Sequence, residues 1–121
     1  METSVNEISI NGVAYVRKDQ VKEMPVVIEN MVIIRTQNAG VFMGELVSRD
    51  GQEVELKNAR RLWMWYGAAS LSQLAMEGVS RPRECKFPVA VSKIVLTQVI
   101  EIIQCTAKAL ASVQEVPVWK A

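Results

Sequence analysis

Apolar and polar positions over residues 32–62 follow the short period of β-strands. Residues 32–36, Val-Ile-Ile-Arg-Thr, have the β-branched density of a buried strand, and the Val- and Ile-rich run before them is interrupted at Glu29-Asn30. Gln37-Asn38-Ala39-Gly40 reads as a turn. Residues 41–48 then predict a second strand, with Val41, Met43 and Glu45 on one side and Phe42, Leu46 and Ser48 on the other. Asp50-Gly51 is a hairpin turn, and Val54, Leu56 and Leu62 carry a third strand with Glu53, Glu55 and Lys57 toward water. Three strands joined by tight turns make a meander.

The period then lengthens. Gly67-Ala68-Ala69-Ser70 opens a helix to about Met76, with Leu71, Leu74 and Ala75 as its apolar face and Gly78 placed to cap its end. Residues 80–88 hold two prolines and four charged groups and read as a loop. Residues 89–91 and 93–103 supply one or two further strands. Thr106 caps a short final helix over 107–113, and an apolar tail with Trp119 follows. Near the start, Asn11-Gly12 between Ile8-Ile10 and 14–17 predicts a two-stranded hairpin arm, joined by the charged connector 18–24. The expected class is α+β: an antiparallel meander curled into a small barrel, with one or two packed helices. At 121 residues the chain has room for one domain, an arm and connector over 1–24 and a globular body over 25–121.

Composition narrows the chemistry. With 14 Lys+Arg against 13 Asp+Glu the net charge is +1, which disfavours a nucleic-acid coat while allowing a local basic patch. No histidine occurs, so Ser-His-Asp and Cys-His nucleophile systems and imidazole metal sites are excluded. The two cysteines, Cys85 and Cys105, read as free thiols. The glycines are scattered at turns, without a phosphate-cradling loop, and the carboxylates on the strands face water. The expectation is a protein that is not an enzyme, with no catalytic residues, no metal and no cofactor. No secretory leader or membrane-spanning stretch is read, since the longest uncharged run, 62–76, is too short and too polar to span. A cytoplasmic protein is expected.

Binding chemistry is better represented. Arg60, Arg61, Trp63 and Trp65 lie in one stretch, with Arg61, Trp63 and Trp65 on one strand face and Arg60, Leu62, Met64 and Tyr66 on the other. Guanidinium beside indole suits a nucleotide, the cation pairing with phosphate and the ring stacking on a base. The helix opening just after it has N–H groups that favour an anion. The plainer alternative makes the tryptophans core or dimer anchors and the arginines a solvated rim. Arg35 with Gln37 and Asn38, at a strand end, is a second candidate against a plain turn. Arg81, Arg83 and Lys86 beside Phe87 form a basic loop diluted by Glu84.

The segments Val32-Ile33-Ile34-Arg35-Thr36, Ala39-Gly40-Val41-Phe42, Asn58-Ala59-Arg60-Arg61-Leu62-Trp63 and Gly67-Ala68-Ala69-Ser70-Leu71-Ser72-Gln73-Leu74-Ala75 resemble a family of small, mostly uncharacterised phage and prophage proteins. Cys85-Lys86-Phe87-Pro88, Val99-Ile100-Glu101-Ile102-Ile103 and the early Asn11-Gly12-Val13-Ala14-Tyr15 fit it too, so it covers about nine-tenths of the chain. Through size and build the chain is also similar to anti-Thoeris sponges, phage proteins that bind a cyclic ADP-ribose immune signal, some of them cyclic oligonucleotides. That similarity implies a non-enzymatic nucleotide sponge acting in the cytoplasm of an infected or lysogenic host. It also implies a homo-oligomer with pockets between chains. Arg35 and Arg61 would meet the pyrophosphate, and Phe87 the adenine. The alternative is a phage accessory or regulatory protein that binds nucleic acid or a host protein.

Overall fold

The computed structural model describes residues 25–121. The predicted hairpin arm falls outside the described residues. Five strands, β1 (Val27–Thr36), β2 (Val41–Asp50), β3 (Glu53–Arg61), β4 (Val91–Leu96) and β5 (Val99–Thr106), form one antiparallel sheet in the order β4-β3-β2-β1-β5. Helix α1 (Leu71–Glu77) precedes β4, and α2 (Ala107–Glu115) follows β5. The meander is the predicted one, and Gly51 turns the β2–β3 hairpin with φ 60. The interruption at Glu29-Asn30 is a bulge inside β1: Asn30 has φ 68, and the pairing with β5 shifts register between Val27 and Val32.

The predicted barrel does not close. β4 and β5 occupy the two edges of the sheet and are not paired with each other. Each strand is antiparallel to its neighbour, so β4 and β5 run in the same sense, joined only by Thr97-Gln98. Parallel pairing of consecutive strands needs a crossover of a dozen or more residues, and two cannot supply it. The link still bends the sheet hard. Leu96 and Val99 are at most ~11 Å apart by chain length, whereas four strand spacings on a flat sheet are ~19 Å. The sheet therefore coils, bringing diagonal corners together, and Val99 N donates to Gln52 O at 3.0 Å across the gap.

Coiling creates two cores from alternate residues of the same strands. Val32, Ile34, Phe42, Val54, Leu56, Leu96 and Val99 fill the inside of the curl. Ile33, Met43 and Leu62 face the other way and pack with Leu74 and Ala75 of α1, Ala109 and Val113 of α2, Phe87 and Cys105. Both helices are set by their caps. Ser70 Oγ accepts from Gln73 N, and Gln73 Oε1 reaches back to accept from Ala69 N, one residue before the cap, a variant of the capping box that takes up N–H groups otherwise open to an anion. Thr106 Oγ1 accepts from Ala109 N and donates to Met76 O at 2.7 Å, so the α2 cap also ties down the end of α1.

Cys85 and Cys105 are free and buried. Burial pushes the Cys105 thiol up from 9.0 to about 12, against a weaker downward pull from the backbone at Ile33. Between those values the unfolded chain has lost its proton and the folded chain keeps it. Stability present in full below pH 9 is thus lost as pH rises toward 12, at ~1.4 kcal/mol per pH unit. Urea midpoints at pH 8 and 10.5 will show that slope in the wild type. Cys105→Ala will lack that share of it; identical slopes in the two proteins would show that the thiol ionises as readily folded as unfolded.

Candidate functional site

A bulge in β3 decides which way its arginines point. Asn58 has φ 53, and the β2–β3 register shifts between the Met43–Arg60 and Glu45–Lys57 pairs. Before the bulge Val54 and Leu56 face the inside of the curl; after it Ala59 does. Arg60 and Leu62 are thereby turned to the helix side, and Arg61 to the rim of the inner core, where its guanidinium carbon lies 4.6 Å from the centre of the Phe42 ring.

Arg60 is a clamp. Nε donates to Pro88 O at 3.0 Å, Nη1 to Val113 O at 2.8 Å, and Nη2 to Phe87 O, Val116 O and Pro117 O at 3.0, 2.8 and 3.2 Å. Its guanidinium carbon sits 5.5 Å from the Phe87 ring centre. Desolvation by burial lowers the pKa of the group, which stays cationic at neutral pH. It ties the end of α2 and the C-terminal tail to the segment leading into β4.

Beyond β3 the alternation expected through Tyr66 stops. Leu62 and Trp65 both contact the helix-side core, and Trp63 stands 61% exposed. Three short segments make a small extra layer here. Trp63 N and Met64 N donate to Lys86 O, Lys86 N donates to Met64 O at 2.7 Å, and Trp119 N donates to Phe87 O at 3.0 Å. Phe87 points inward and is fully buried. Lys86 lies on the other side, with Nζ 5.4 Å from the centre of the Trp119 ring, itself 46% exposed. Met64 and Tyr66 are also exposed. Lys86 thus lies over Trp119 and opposite Met64, and exposed Trp63 follows on the same backbone-bonded segment, which together make an aromatic surface carrying a cation.

The seven residues singled out from the sequence do not converge on one cavity. Arg60 and Phe87 meet each other inside the protein, where Phe87 presents no face to solvent. Arg61 borders a notch of about 200 Å³ with Phe42, Pro88 and Val91. Trp63 belongs to the aromatic surface, and Trp65 is its half-buried support. Arg35 and Asn38 are at the corner of β1. Arg35 Nε is paired with Glu101 Oε1 at 2.8 Å across to β5, and Asn38 Nδ2 donates to Gln98 Oε1 at 3.1 Å. Arg35 is opposite Val41, whose carbonyl accepts from Leu62 N, so it lies two strands from the aromatic segment. Sequence reasoning missed Trp119, taken as part of an apolar tail, although an aromatic residue beside Lys120 at a chain end carries the same indole-and-cation chemistry.

Among the described residues no group of three or more His, Cys, Asp or Glu side chains is placed to hold a metal, and no helix is long and apolar enough to cross a membrane. No curated protein and no solved structure matches the chain. One family model, a domain of unknown function designated DUF6948, matches residues 29–113, from the bulge in β1 to the last buried valine of α2. That match spans most of the chain and both cores, and the protein belongs to the DUF6948 family.

Proposed function

We propose that this protein is a non-catalytic binding protein that sequesters a small nucleotide, of the cyclic ADP-ribose or cyclic oligonucleotide type, at the Trp63–Lys86–Trp119 surface. The observation that carries the reading is exposed Trp119 with the Lys86 ammonium over its ring, and a second exposed tryptophan, Trp63, on the segment whose backbone bonds Lys86. A single exposed apolar residue needs no explanation, but an exposed ring under a cation, with a second exposed ring on the adjoining segment, matches what a base and its phosphate require. Arg61 lies at the start of the same segment and supplies a second cation for a pyrophosphate. The phage-like sequence segments supply the biological setting: a phage-encoded protein withholding an immune signal from its effector, in a homo-oligomer of these chains.

A thermal-shift screen against cyclic ADP-ribose isomers, cyclic di- and trinucleotides and a DNA oligomer tests the proposal. A nucleotide hit raises the melting temperature by mass action and is recovered intact after heat release. Trp63→Ala will abolish the shift while changing unliganded stability by less than ~1 kcal/mol, because the ring is mostly in water. Arg61→Glu will also lose the shift, and Glu55→Ala will keep it. Recovery of altered nucleotide would make the protein an enzyme instead. No shift with any nucleotide would sink the reading and leave the alternative favoured by the apolar character of Met64, Tyr66 and Val118, a surface for a host protein.

A further inference from the structure

A second cavity lies between the helix side of the sheet and α2 and adjoins the aromatic surface at Val118. It has a volume of about 350 Å³, with Met31, Met43, Leu110 and Val118 as walls, and both Arg60 and Glu45 reach it. That volume is at the small end of the range for ligand sites. The walls are mostly apolar, with Asn58 and Gln114 among them, and two are methionines, whose unbranched side chains adapt to a chain-like guest.

Arg60 and Glu45 bring one charge of each sign to this cleft, and no ion pair joins them. Arg60 has five N–H donors: one on Nε, two on Nη1 and two on Nη2. Its acceptors are all neutral carbonyls, one for Nε, one for Nη1 and three for Nη2, which leaves one Nη1 hydrogen without an acceptor among the described residues. No carboxylate lies within ion-pair distance of Arg60 among them either. Among the described residues, a partly buried guanidinium thus lines a mostly apolar cleft with no carboxylate paired to it and a donor to spare.

We infer that this cleft binds a free medium-chain carboxylate, with the alkyl chain among Met31, Met43, Leu110 and Val118 and the carboxylate on Arg60. A carboxylate supplies both missing elements, an acceptor for the remaining Nη1 hydrogen and a counter-charge. Glu45 at the same cleft opposes the anion and weakens it. The inference does not rest on the nucleotide reading: the cleft shares only the Val118 edge with that surface, and neither exposed tryptophan lines it.

The test is titration of the full chain with decanoate, decanol and decyltrimethylammonium, each below its micellar concentration, followed by calorimetry and thermal shift. Decanoate will bind at least ten-fold more tightly than decanol, and the ammonium will not bind. Leu110→Trp, which fills the cleft from the half-buried side of α2, will lose decanoate. Glu45→Gln, on the cleft border, will bind decanoate several-fold more tightly with decanol unchanged, a readout that survives if Leu110→Trp does not fold. Trp63→Ala will keep decanoate binding whether or not it loses a nucleotide. Equal affinity for decanoate and decanol, or no binding of decanoate, overturns the inference, as does full decanoate affinity in a folded Leu110→Trp.

Discussion

Arg60→Met will lower folding stability by about 3–5 kcal/mol, seen as a shifted urea midpoint with an unchanged slope. Methionine keeps much of the aliphatic volume, so the loss isolates the guanidinium. Each hydrogen bond to a charged group contributes ~1.5–3 kcal/mol, but the five share one group and do not add. Several of the carbonyls, those of Phe87 and Val113 above all, sit where water cannot easily replace the donor, since both residues are buried. Arg60→Lys will recover only a part, because one ammonium with three donors cannot span acceptors arranged around a planar fork. The same variants will free the tail. Pro117 and Val116 lose their anchor, Trp119 moves off Lys86, and tryptophan emission shifts to the red. A loss under ~1 kcal/mol, with emission unchanged, would mean that the clamp is not formed in solution.

Arg60 and its neighbour show why the fold was more legible in the sequence than the site. Arg60 and Arg61 look equivalent in a strand that alternates, and both were natural choices for a phosphate. Alternation alone sets them on opposite faces, but a single left-handed residue, Asn58, shifts the register and decides which of the two faces the helices. One then meets carbonyls up to 57 residues away in sequence, and the other stays at the rim. Nothing local to Arg60 encodes Pro88, Val113 or Val116 as its partners, because those contacts exist only once α2 and the tail have packed. Phe87 misled for a related reason. Its loop carries charges, yet alternation resumes across Cys85, Lys86 and Phe87, putting Cys85 and Phe87 in the core and Lys86 outside.

Local signals read better. The β1–β3 meander has its turns at Gly40 and Gly51, both with positive φ, and strand periodicity suffices to place it. Thr106 and Gly78 cap the helices as their types suggest. Ser70 and Gln73 have capping-box spacing, a signal present in the chain that also explains why the start of α1 has N–H groups already engaged. The open sheet was not legible. A continuous β-branched run over 93–103 looks the same whether it stays in one strand or passes, through Thr97-Gln98, from one edge to the other. The passage is fixed by distant partners: Val54 and Leu56 for β4, Ile33 and Ile34 for β5.

Gly78→Ala is the second substitution expected to be severe, at about 3–5 kcal/mol. Gly78 has φ 81 and ψ −154, a region that is essentially glycine's alone and costs other residues ~1–3 kcal/mol. A methyl there would also overlap Cβ and Oγ of Ser112 on α2. That serine cannot simply turn away: its Oγ accepts from Val79 N at 2.9 Å and donates to Val79 O at 3.1 Å, joining the end of α1 to α2. Strain and overlap can be separated by a double-mutant cycle. Ser112→Gly alone will cost about 2–3 kcal/mol, from the orphaned Val79 N–H and the lower helix propensity of glycine. In the double variant the overlap is gone while the backbone strain remains, so the combined loss will fall short of the sum by about 1–2 kcal/mol. Strict additivity in urea denaturation would mean that the α1–α2 junction opens to admit the methyl, and that the tight approach at Gly78 contributes nothing beyond its backbone angles. A shortfall makes the contact between the two helices the reason a glycine, and not merely a residue tolerant of positive φ, is needed there. Asparagine, the usual substitute at left-handed positions, would then fare no better than alanine.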